Sequence, residues 1–148
     1  MPDPDNAPRP ASLWRRLAAL FYDSLLLLAV YFIATAILLP LTGGEAIEAN
    51  NPLLTSYLLF ISFFFYAWFW VHGGQTLGMR SWRLQLHNLR PGPVTWLQCL
   101  LRFIIALPAG LLFGLGYAWM LIDKQKLTCH DRYSETRIVQ LDENPHRR

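Results

Sequence analysis

Charge is scarce in this chain. Only 16% of its 148 residues are charged, against roughly 25% in an average soluble domain. Hydrophobic residues make up 53%, and three apolar runs approach the length of a membrane span. A chain of this size has room for one domain. A soluble domain has no use for three such runs, so the class expected is an all-α integral membrane protein. Cysteine is scarce too. Cys99 and Cys129 make neither a metal motif nor a disulfide framework, and they read as two ordinary cysteines. The net charge of +3 is small for a nucleic-acid binder, so no nucleic-acid partner is expected. No Ser or Cys nucleophile stands beside a base in a catalytic pattern, and no metal-ligand spacing is present. The chain is therefore read as no enzyme, without cofactor or metal.

What is present begins with residues 1–12, rich in proline and expected to be a disordered tail. Membrane segments are expected at about 17–39, 53–71 and 94–122, inside a domain covering 13–141, followed by a polar tail at 142–148. The first run has the Arg15-Arg16 start of a signal peptide, and Ala34-Thr35-Ala36 resembles a cleavage site. It is longer than a usual signal core and carries an aspartate, so it reads as a retained helix.

That aspartate, Asp23, is the one charge between Leu17 and Pro40. It lies seven residues from Arg16, on the same helical face and roughly 10 Å along the axis. A charge at the bilayer centre costs on the order of 2.5–3.5 kcal/mol on insertion scales, so Asp23 needs a partner, water or a proton. Arg102 is the other embedded charge. The expected pairing is Asp23 with Arg102 at similar depth, with Arg16 nearer the surface facing Asp131. Asp123, His130, Asp131 and Thr136 form a juxtamembrane motif beyond the third segment.

The second run ends at Gly74-Gln75-Thr76-Leu77-Gly78, a glycine turn. It is no Walker A loop, because the lysine and its following Ser or Thr are missing. Trp82, Leu84 and Leu86 alternate with Arg83, Gln85 and His87, the period of a half-buried strand. Thr136–Leu141 is its natural partner, which gives a two-stranded element on the cytoplasmic side.

Arg80, Arg83 and Arg90 fill the 72–93 loop, which has no acid, while 41–52 has no lysine or arginine. The N-terminus and the 72–93 loop are therefore expected in the cytoplasm. One uninterrupted third span would carry Lys124, Lys126, Arg132 and Arg137 outside. The preferred reading breaks 94–122 at Pro108 into a helical hairpin that returns. The other reading is that Asp123, Asp131 and Glu135 weaken the charge rule there.

Arg16, Asp23, the 74–78 turn, and His130-Asp131 followed by Thr136-Arg137-Ile138-Val139 together resemble the RDD family of bacterial membrane proteins. The resemblance covers about residues 13–141 and rests on the order and spacing of these motifs. It implies that Arg16 is the family's arginine and Asp23 its first aspartate, with Asp131 the second and Asp123 its rival. Met79-Arg80 and Tyr133-Ser134-Glu135 depart from the family pattern. The family's molecular role is unsettled, with ion or solute transport proposed for some members. The implied location is the bacterial inner membrane. The expected partners are the lipid bilayer and a homo-oligomer or another membrane protein. A structural, assembly or regulatory role ranks first. Cation or proton transport by an oligomer, with Asp23 titrating, ranks second.

Overall fold

The computed structural model describes residues 9–111 and 115–141, and side chains outside 109–117. Strand β1 is Arg9–Pro10, and helix α1 runs over Leu13–Leu38. Its 26 residues reach about 39 Å at 1.5 Å per residue. A 3-10 turn at Leu39–Thr42, with Pro40 at its start, ends it at Gly43, where φ is +68°. Helix α2 is Pro52–Gly73. The Asn51 side chain caps it by accepting from the Leu53 amide at 2.9 Å, and Pro52 occupies the first position, where no amide is needed. At its far end Gly74 takes the left-handed conformation, φ +68°. A side chain there would also strike the Leu86 carbonyl oxygen, 2.8 Å from where its Cβ would stand.

Among the described residues, α1 and α2 are the two helices long and apolar enough to cross a membrane. Their outward faces are apolar: Phe32, Ile33, Phe60 and Phe64 are exposed. Water does not tolerate so continuous an apolar surface, whereas a bilayer does.

The third apolar stretch forms two helices, each shorter than a span. Helix α4 is Trp96–Leu111 and helix α5 is Leu115–Ile122. The break expected at Pro108 is not there: Pro108 sits inside α4, which continues to Leu111, and residues 112–114 between the helices lie outside the described residues. Proline removes one backbone bond, and an apolar helix with packed neighbours tolerates that loss. The stretch does turn back, because α6 (Cys129–Tyr133) follows α5 and packs beside α4.

Between α2 and α4 lie the short helix α3, Leu77–Ser81, and strand β2, Leu84–Asn88. Strand β3, Thr136–Gln140, follows α6. The sheet order is β1-β3-β2, antiparallel throughout. Leu84 faces Gln140 and Asn88 faces Thr136. The fold is thus not wholly helical, and the sheet has three strands where the sequence suggested two. The third comes from residues assigned to a disordered tail. Arg9 pairs with Gln140 and Pro10 with Val139, and Ala11, fully buried, donates to the Ile138 carbonyl at 3.1 Å. The rest of that tail, 1–8, and the 142–148 tail with His146 fall outside the described residues. Ala11, Ala19, Ala67, Leu84, Leu86, Cys99 and Ile138 form the core where the sheet meets the helices. Both cysteines are free thiols.

Candidate functional site

Five elements meet around one carboxylate and its two arginines. Asp131 is fully buried. Arg16, from the first turn of α1, donates from Nη1 to Asp131 Oδ2 at 2.5 Å. Arg102, from α4, donates from Nη1 to Oδ1. Both arginines are themselves buried. Arg16 also donates from Nε to the Ala11 carbonyl at 3.3 Å and from Nη2 to the Ile138 carbonyl at 3.2 Å. Arg102 donates to Thr136 Oγ1 at 3.1 Å, and its guanidinium lies 5.3 Å from the Trp70 ring centroid on α2. Each buried charge thus has a partner, as burial demands.

Asp131 is aimed by its own helix start. Thr128-Cys129-His130-Asp131 is a capping box: the Thr128 hydroxyl accepts from the Asp131 amide at 3.3 Å, and Asp131 accepts from the Thr128 amide at 3.3 Å. Burial alone would raise the Asp131 pKa. Arg102 and Arg16 outweigh that and hold it well below the usual carboxylate range. His130, next to it, is pushed down to about 3, by burial first and then by Arg102; it is neutral at pH 7.

Asp23 is not part of this triad, and the pair expected with Arg102 does not form. The 74–78 turn instead brings the start of α3 against α1. Thr76 Oγ1 donates to Asp23 Oδ2 at 2.5 Å, and the Gly78 amide donates to Oδ1 at 2.9 Å. The same Thr76 hydroxyl accepts from the Met79 amide at 3.1 Å, capping α3. Gly78 has to be glycine: a Cβ there would collide with the Ala19 carbonyl oxygen and stand 2.9 Å from the Asp23 carboxyl carbon. Depth along a helix axis set the expected pairing, but depth does not say which way a residue faces around the axis. The turn also offers free helix-start amides, which a carboxylate accepts readily.

Gln75 donates to the Leu84 carbonyl at 2.7 Å, tying the turn to β2. Gly74 caps α2. Asp123 accepts from the Leu127 amide at 3.1 Å and lies 3.9 Å from the exposed Arg132. It shapes a turn and stays outside the triad. The sequence reading missed Thr128 and Trp70. Thr128 was legible as a Thr-x-x-Asp capping pattern; Trp70 was hidden in an aromatic stripe.

The two carboxylate sites border one cavity of about 600 Å³ between α1, α2 and α4. Arg16, Asp23, Tyr66, Thr76, Arg102 and His130 bring polar groups to its lining, and Trp70 and Phe103 are part of its apolar wall. Among the described residues no three His, Cys, Asp or Glu side chains are grouped to hold a metal ion.

Comparison with known families settles what this charge pattern belongs to. The model of the RDD family matches residues 10–135. The chain belongs to the RDD family. Neither the curated proteins nor the solved structures contain a match. The match spans α1, the 74–78 turn and α6. RDD proteins are membrane proteins, in keeping with the two long apolar helices. In this RDD protein the arginine at position 16 meets Asp131, while Asp23 is held by the turn.

Proposed function

We propose that this RDD protein is a non-enzymatic, multi-pass protein of the bacterial inner membrane with a structural, assembly or regulatory role. It works with a second copy or another membrane protein. One observation carries the reading: each oxygen of Asp131 is occupied by an arginine. A carboxylate so engaged is a clip that fixes elements in register. Removing one member strands a buried charge.

The N-terminus is assigned to the cytoplasm. The charge count supports this once the termini are seen together. Arg15, Arg80, Arg83, Lys124, Lys126 and Arg137 belong to segments at the sheet end, whereas the 43–51 turn holds Glu45 and Glu48 and no base. The third stretch returns, so its trailing lysines no longer count against the positive-inside rule.

Cation or proton transport by an oligomer, with Asp23 titrating, is the second reading. The observation favouring it is that Asp23 borders the cavity. Against it, both Asp23 oxygens already accept hydrogen bonds and two arginines line the same space. Asp131→Asn and Asp23→Asn separate the readings. A clip predicts that Asp131→Asn lowers membrane protein level and melting temperature, and that vesicles with the unaltered protein carry no cation or proton flux. Flux that disappears in a well-folded Asp23→Asn chain would favour transport.

A further inference from the structure

We propose that the cavity beside Arg102 binds a long-chain carboxylate of the fatty-acid class, head on the guanidinium and chain along the apolar wall. This goes beyond the role of the clip and does not depend on it.

A guanidinium carries five N–H groups. Arg16 engages all three of its nitrogens. Arg102 engages only Nη1, with Asp131 and Thr136. Its Nε and Nη2 have no acceptor among the described residues, although the side chain is only 3% exposed. One face of the guanidinium is turned to Trp70. The Nε/Nη2 edge is the fork that matches a planar carboxylate with two parallel hydrogen bonds. A charged donor shielded from bulk water and without an acceptor is costly, and Arg102 lines the cavity, where a ligand could supply that acceptor.

The rest of the cavity selects the other end of the ligand. Leu20, Leu59, Phe103, Ala106 and Leu107 line it, and none offers a polar atom from its side chain. Asp23 also borders it, but its oxygens are engaged by Thr76 and Gly78. His130 is neutral at pH 7 and adds no charge of either sign. The volume, about 600 Å³, lies within the range of roughly 300–1,000 Å³ typical of small-molecule sites. An inorganic anion would leave the apolar wall unfilled, and an uncharged chain would leave the Arg102 edge without an acceptor.

The full-length protein in detergent, titrated with dibromostearate at mildly alkaline pH, tests this through quenching of tryptophan fluorescence. The dibrominated alcohol of the same chain length is the control. Quenching by the acid should saturate at least about tenfold below the alcohol, since a hydrogen bond to a charged group supplies that much. Trp70→Phe should remove most of the saturable signal, and Ala106→Phe, which fills the cavity without touching a charge, should weaken binding about tenfold. Equal, non-saturating quenching by acid and alcohol means partition into the micelle and overturns the proposal. So does saturable quenching that survives Trp70→Phe, or unchanged affinity in a folded Ala106→Phe chain. If Ala106→Phe does not fold, the comparison of acid with alcohol on the unaltered protein decides alone.

Discussion

Asp131 joins α1 to α4 through the two arginines on its carboxylate. Asp131→Asn leaves two buried guanidinium groups without their carboxylate. It should cost about 3–5 kcal/mol, the usual cost of breaking a buried ion pair, read as a fall in the melting temperature of the solubilised protein. Gly78→Ala should cost about 1–3 kcal/mol as an overpacked contact, because α3 must back away from Ala19 and Asp23. Acid acts on the same cluster. His130 has an ordinary pKa of 6.5 when unfolded and about 3 when folded. Between those values the unfolded chain holds a proton that the folded chain lacks. Stability is thus fully present above pH 6.5 and falls as pH drops toward about 3. Asp131, held below its ordinary 3.8, adds a further loss at the acid end. His130→Gln should flatten the fall between pH 6.5 and 4, measured as melting temperature against pH. Arg16, Asp23 and Arg102 were legible in the sequence as charges set in or at apolar runs, and Asp131 through the juxtamembrane motif and the family resemblance, with Asp123 as its rival. The contact of Arg16 with Asp131 was expected and forms, whereas the partners of Asp23 and Arg102 were not legible, because periodicity fixes the spacing along one helix and says nothing of how two helices face each other.

At the scale of elements, the period-two pattern of Trp82–His87 located β2, and the need of an exposed strand edge for a partner located β3. Both form, in the register Leu84 to Gln140 through Asn88 to Thr136. The third strand was not legible. Arg9-Pro10-Ala11 sits among prolines, and nothing in its composition distinguishes two paired residues from a tail. Its order comes from outside, through the Arg16 guanidinium on the Ala11 carbonyl and the Ile138 carbonyl on the Ala11 amide. The end of α4 was misplaced because proline removes one backbone bond and crowds the preceding turn, and in this helix packing on α2 and α6 outweighs that loss. Thr128→Ala removes half of the α6 capping box. It should cost about 1 kcal/mol, as other lost caps do, again in thermal melts. Because the Thr128 hydroxyl accepts from the Asp131 amide in the same capping box that the Asp131 carboxylate completes, its effect and that of Asp131→Asn should be less than additive.

The described residues form two long apolar helices, the shorter α4 and α5, and a polar cap at one end. The cap is built from both ends of the described chain and the segment after α2: β1, α3, β2, α6 and β3. The clip and the sheet both require that Arg9–Arg16 and Thr128–Gln140 share one side of the bilayer. The turn between α1 and α2 lies at the far ends of both helices. Single cysteines at Arg9, Glu48 and Tyr133, in a chain with Cys99→Ala and Cys129→Ser, test this with a membrane-impermeant thiol reagent on sealed vesicles of each orientation. All three positions are exposed. The account predicts that positions 9 and 133 label from the same side and position 48 from the other. Positions 9 and 133 labelling from opposite sides would contradict it, because neither the sheet nor the contact of Arg16 with Asp131 could then exist.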